Sequence, residues 1–182
     1  QFLEGVSMKN SRIAQQGLVL LGCGKMGSAM LAGWLDQGLP ATSVHVLDPF
    51  PSDWLKSTDV ALNSDLPDAP AIVLVAVKPQ MMAEALPRLQ EMGGGETVFV
   101  SVAAGTTIGY FESVLGRETP VVRAMPNTPA AIGKGITAVI GNAAVSNEGV
   151  DEAVQLLQAV GQVVRLENEG QIDAVTGVSG SG

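Results

Sequence analysis

Three glycines at fixed spacing, in Gly22-Cys23-Gly24-Lys25-Met26-Gly27, offer backbone N–H groups rather than reactive side chains. Such donors bind anions. The first glycine permits a tight turn, the second lets a phosphate approach the backbone, and the third lets a helix pack close to a strand. Uncommitted N–H groups and the helix dipole add attraction for negative charge. Together they describe a site for a dinucleotide pyrophosphate. Asp48 stands 21 positions after Gly27, where a carboxylate can accept hydrogen bonds from an adenosine ribose. A 2′-phosphate would meet like charge there, and Pro49-Phe50-Pro51 carries no arginine, so NADH is expected over NADPH. The other reading of Asp48 is the start of the turn before Pro49.

Further candidates lie downstream. Ala76, Val77, Lys78 and Pro79 follow an apolar run, and Lys78 could reach a phosphate or a ribose hydroxyl. A solvated turn lysine is the plainer alternative. In Ser101-Val102-Ala103-Ala104-Gly105, the small Ala103 and Ala104 leave room for a flat nicotinamide or its ribose, or serve only tight packing. Asn127 and Thr128, between Pro126 and Pro129, are rigidly presented polar groups. They suit orientation of a small substrate, although a prolyl turn capping the sheet explains them too. His45, the only histidine, falls mid-strand and reads as a packed or half-exposed strand residue rather than a base. No metal-ligand spacing and no Ser/His/Asp arrangement can be built, and no catalytic acid or base is assigned.

The elements that must position these residues follow from the apolar pattern. Leu18-Val19-Leu20-Leu21 is a strand leading into the glycine turn, and Met26, Ala29, Met30, Gly33 and Trp34 then recur at helical spacing. Gly38 and Pro40 stop that helix. Further strands are expected at 44–47, 71–77, 97–102 and 121–124. Residues 135–140 read as a hairpin arm or an edge strand, and 162–166 as a last short strand. Helices are expected from Pro79 to Met92 and over 147–160. The near-continuous apolar run at 71–77 marks a parallel strand covered on both faces. The alternation predicts an α/β fold, a Rossmann-like doubly wound, mostly parallel sheet with helices on both faces.

Bulk properties agree. The 182 residues are 46% hydrophobic and only 15% charged, enough to bury a core and too apolar for a disordered chain. A net charge of −8 argues against nucleic-acid or membrane-surface partners. One cysteine, Cys23, can form no internal disulfide, which fits a reducing cytoplasm. Its small side chain suits the turn, and no second cysteine supports a redox role. The apolar stretch over 17–35 is interrupted by Lys25 and reads as neither signal peptide nor membrane span. Residues 1–7 read as a cloning remnant, 8–168 as the dinucleotide-binding domain, and 169–182 as the opening of a second domain.

From residue 17 to Gly182 the chain closely resembles the Δ1-pyrroline-5-carboxylate reductase family. The resemblance rests on the glycine hexapeptide, on Ala76-Val77-Lys78-Pro79-Gln80 and on Ser101-Val102-Ala103-Ala104-Gly105-Thr106-Thr107-Ile108. Arg123-Ala124-Met125-Pro126-Asn127-Thr128-Pro129-Ala130 and Asp173-Ala174-Val175-Thr176-Gly177-Val178-Ser179-Gly180-Ser181-Gly182 complete it. It implies NAD(P)H-dependent reduction of the cyclic imine 1-pyrroline-5-carboxylate to L-proline. It also implies that Asn63 contacts the cofactor. Many members of the family use NADPH or both coenzymes. They continue into an all-helical domain that forms the dimer and supplies a substrate loop, so a homo-oligomer is expected of the complete protein and little turnover of these 182 residues. Two rivals are a β-hydroxyacid dehydrogenase-like oxidoreductase and a dinucleotide-sensing module without turnover. The first would need a lysine-bearing helix that residues 131–182 do not offer.

Overall fold

A computed structural model of the chain describes residues 11–126 and 135–167. Its eight strands are β1 (Leu18–Leu21), β2 (Val44–Leu47), β3 (Ala61–Leu62), β4 (Ile72–Val75), β5 (Val98–Ser101), β6 (Val121–Pro126), β7 (Gly135–Gly141) and β8 (Gly161–Arg165). They form one sheet in the order β3-β2-β1-β4-β5-β6-β7-β8. Every pairing is parallel except β6 with β7. The strand order reverses between β1 and β4, and that reversal opens a crevice at their C-terminal ends.

β1, β4 and β5 are buried at every position, as strands covered on both faces must be. Successive residues feed two separate cores. Leu18 and Leu20 join the core under helices α1 (Arg12–Gln16), α2 (Lys25–Asp36), α3 (Asp53–Ser57) and α6 (Asn147–Leu157). Val19 and Leu21 join the other, under α4 (Pro79–Ala85) and α5 (Ile108–Leu115). Trp34 is fully buried at the first and donates its indole N–H to the Leu156 carbonyl at 3.0 Å. Phe99 and Phe111 anchor the second. Each such side chain contributes about 1.5–3 kcal/mol by leaving water. Helices therefore cover both faces.

Some elements differ from the sequence expectation, each for a physical reason. The 135–140 segment is a hairpin arm against β6 but not an edge, because β8 pairs beyond it. The helix expected through Met92 is α-helical only to Ala85, and residues 86–92 tighten to a 3₁₀ turn. Pro87 explains this, since its ring clashes with the preceding turn and it has no N–H to donate. Short α1, α3 and α5 start at Ser11, Ser52 and Thr107, whose hydroxyls each accept a first-turn N–H. With five to eight residues they carry too little periodicity to stand out. No helix among the described residues is long and apolar enough to cross a membrane.

Candidate functional site

The three glycines of the turn occupy three different surroundings. Gly22 ends β1 at φ +86°, and its N–H donates to the Leu47 carbonyl at 2.8 Å. A Cβ there would lie 2.9 Å from Val77 Cγ1 and 3.1 Å from the Ala76 backbone. Gly27 sits inside α2, where a Cβ would come within 3.1 Å of the Gly22 carbonyl oxygen. Gly24, the N-cap of α2, faces open space, with no atom within 4 Å of a built Cβ. Two glycines thus serve packing, and the third leaves a surface for a ligand to approach.

The start of α2 is left unfilled by the chain itself. Gly24 has no side chain to cap the helix, and the first turn holds no acidic residue. The N–H groups of Lys25, Met26 and Gly27 precede the first intrahelical bond, in which Ser28 N–H donates to Gly24. They and the helix dipole remain for an anion. The Cys23 N–H is not available, because it donates to Asp48 Oδ2 at 3.0 Å.

Asp48 follows β2 and is tied to the turn from several sides. Its second oxygen, Oδ1, accepts the Phe50 N–H at 2.8 Å. Asn63, just past β3, clamps the Asp48 backbone: Oδ1 accepts its N–H and Nδ2 donates to its carbonyl, both at 2.8 Å. Asn63 is the one non-glycine with positive φ among the described residues, at +51°. Asparagine tolerates that conformation better than most residues.

An open cleft of about 680 Å³ joins these groups. Gly22, Cys23, Gly24, Asp48, Asn63, Ala76, Val77 and Lys78 all line it, so eight of the fourteen coenzyme candidates converge. Its opposite wall is one face of α4 and the following turn: Gln80, Met81, Glu84, Ala85 and Arg88. Phe50, 86% exposed, stands at the lip. Sequence reasoning missed Phe50 and this helical wall. Spacing of four puts Gln80, Glu84 and Arg88 on one face, but the sequence does not say which face meets the cleft.

Lys25, Met26, Gly27, Pro79, Ala103 and Ala104 do not line that cleft. Lys25, Met26 and Gly27 form the α2 start beside it, and Pro79 is the first residue of α4. Ala103 is buried and Ala104 exposed just beyond β5, on the far side of β4. Arg123 is buried on β6 opposite Ser101. Asn127 and Thr128 lie outside the described residues. His45 sits mid-strand on β2, and burial pushes its imidazole below the usual range. It is half-buried and does not line the cleft.

Burial pushes the Cys23 thiol up, and the neighbouring Asp48 charge adds to the effect against a contact with Ser28. A thiol so placed stays protonated and is no nucleophile. No group of three or more His, Cys, Asp or Glu able to hold a metal occurs among the described residues. A second cavity of about 320 Å³ lies at the other end of the sheet, beside Arg12, Glu96 and Glu152.

Residues 17–105 match a family model described as NADP oxidoreductase coenzyme F420-dependent. The chain is 37% identical over 171 residues to the pyrroline-5-carboxylate reductase of Pseudomonas aeruginosa, covering 91% of this chain and 63% of that protein. A solved pyrroline-5-carboxylate reductase from Coxiella burnetii superposes with a TM-score of 0.81 at 28% identity, over 92% of this chain and 64% of that one. Over the residues matched, the chain is similar throughout to pyrroline-5-carboxylate reductases. It spans less than two thirds of the length of these relatives. The Plasmodium falciparum pyrroline carboxylate reductase, solved with NADP bound, shares the fold at a TM-score of 0.78 and 24% identity, over 96% of this chain and 64% of that one. The match to the NADP oxidoreductase family model supports nicotinamide-dinucleotide binding, and the open face of Gly24 at the start of α2 fits it.

Proposed function

We propose that the chain is the coenzyme-binding part of an enzyme that reduces 1-pyrroline-5-carboxylate to L-proline with NAD(P)H. The observation that carries this reading is Gly24: an uncapped helix start with an empty approach, at the point where the strand order reverses. The N–H groups that open α2 would hold the pyrophosphate, with Lys78 as a further cation. Asp48 would accept hydrogen bonds from the adenosine ribose, which favours NADH. Val77 and Ala76 form the floor beneath. Ala103 and Ala104, beyond β5, would leave space for the nicotinamide end.

When bound, the nicotinamide supplies the hydride that the imine carbon accepts. A protonated imine is already electrophilic, so the chain's task is positioning rather than acid–base work. Asn127 and Thr128 would orient the substrate. Protonated Cys23 and mid-strand His45 contribute no proton transfer, consistent with that division of labour. A homo-oligomer in the cytoplasm is the setting this reading expects.

The test supplies NADH or NADPH together with 1-pyrroline-5-carboxylate to this chain and to the longest product of its gene. Loss of reduced-nicotinamide absorbance with formation of L-proline by the longer product supports the reading. Activity on a hydroxyacid alone would replace it with the β-hydroxyacid dehydrogenase class. Tight coenzyme binding with no acceptor reduced by either product would leave a sensing module.

A further inference from the structure

Arg88 is a cation in the cleft with no assigned task. It is exposed, lines the same opening as Asp48, and forms no ion pair or side-chain hydrogen bond among the described residues. Glu84 stands four residues earlier on the same wall, the spacing and order that favour a helical ion pair. No such pair forms here. The guanidinium is therefore presented to the opening rather than folded back along the helix.

Position along the wall decides what Arg88 can meet. Lys78 and Gln80 stand at the start of α4, where β4 ends beside β1 and its glycine turn. The eight steps from Gln80 to Arg88, α-helical to Ala85 and 3₁₀ beyond, span roughly 13 Å. That is comparable to the reach of an adenosine moiety laid outward from its phosphate. Asp48 lines the same cleft, and Cys23 and Phe50 N–H groups hold its carboxylate, one at each oxygen. Those two donors also offset part of its charge. A pinned, partly compensated carboxylate and a guanidinium without an ion pair thus line one cleft.

We infer that Arg88 is a coenzyme-specificity residue that binds the 2′-phosphate of NADPH and offsets the exclusion imposed by Asp48. This inference rests on the dinucleotide reading of the cleft and extends it to the choice of coenzyme. The site then accepts both coenzymes, and the balance of Asp48 against Arg88 sets their ratio. The chain's net charge of −8 repels NADPH at long range, so a local cation has a large share in admitting it.

Calorimetric titration of NADH, NADPH and adenosine 2′,5′-bisphosphate into the wild type, Arg88→Ala and Arg88→Lys tests it. Arg88→Ala is expected to weaken NADPH and the bisphosphate by about tenfold or more, with NADH changed by less than about twofold. Arg88→Lys should recover part of the loss, because it keeps the charge but not the bidentate geometry. Because Arg88 is exposed, both variants should melt with the wild type. Equal weakening of NADH and NADPH would overturn the inference, placing Arg88 on the adenine or the pyrophosphate. So would unchanged affinities, or a wild type that binds NADH but not NADPH. A wild type that binds neither coenzyme removes the dinucleotide reading itself, which is a separate outcome.

Discussion

Asn63 substitutes for a neighbouring strand at Asp48: both polar atoms of its side-chain amide bond the Asp48 backbone, each at 2.8 Å. β3 is only two residues long, and the pairing it can no longer supply is continued by this side chain. The result holds Asp48 over the glycine turn, where its carboxylate meets the Cys23 N–H.

Asn63→Ala should weaken NADH binding several-fold, because it releases Asp48 and leaves a Cβ-bearing residue at φ +51° without the amide's hydrogen bonds. Asn63→Gly loses the same hydrogen bonds but none of the conformational fit, and should be more stable than Asn63→Ala by about 1 kcal/mol. Urea unfolding and coenzyme titration separate the two effects. Wild-type affinity in Asn63→Ala would show that Asp48 needs no clamp.

The glycines of the turn should divide cleanly. Gly22→Ala combines a left-handed backbone with a 2.9 Å contact to Val77, and should lose about 2–4 kcal/mol of stability. Gly24→Ala meets nothing and keeps an ordinary φ of −78°, so it should fold like the wild type. Its methyl would occupy the phosphate approach and weaken NADH about tenfold or more. Unfolding curves and titrations on both variants check this, and a fully NADH-competent Gly24→Ala would contradict it.

Cys23 should react slowly with iodoacetamide. Burial and the Asp48 charge raise its pKa, so its thiolate fraction at about pH 8 falls below that of an ordinary cysteine. The expected rate is lower than that of a free-thiol peptide, and lower again with NADH bound. A rate above the peptide's would mean an activated thiol.

Glu152 offers a pH test away from the cleft. It accepts a hydrogen bond from Arg12 at 2.7 Å, yet burial outweighs the arginine and raises its carboxyl above the usual 4.5. The folded state therefore favours the protonated acid. That contribution is complete below the unfolded pKa and fades as pH rises through the folded one. Glu152→Gln should accordingly be no less stable than the wild type at about pH 7, with the wild type gaining on it towards about pH 4. Urea unfolding at both pH values measures this. A wild type that gains on the variant as pH rises would mean that the ion pair dominates.

The parts of the fold visible in the sequence were those with strong local pattern. β1 and β4 are unbroken apolar runs, and α2 opens on the glycine turn with its apolar face in register. β3 escaped because two residues carry no period, and α5 because eight nearly all-apolar or small residues resemble any buried segment. Asp48 could be reached by counting from Gly27. Asn63 came only through family resemblance, since its role depends on a left-handed backbone and a partner 15 residues away. Arg88 and Phe50 were invisible for a different reason. Which helix face becomes the far wall of a cleft is decided by how the helix packs on the sheet, not by its own composition.

The most direct measurement is amide chemical-shift mapping of the protein as NADH is titrated in. Shifts should concentrate at residues 22–28, 48–50, 63 and 76–78, and should be absent from the cavity beside Arg12, Glu96 and Glu152 at the other end of the sheet. Shifts centred on that second cavity, or none at all at saturating NADH, would contradict a dinucleotide site at the glycine turn.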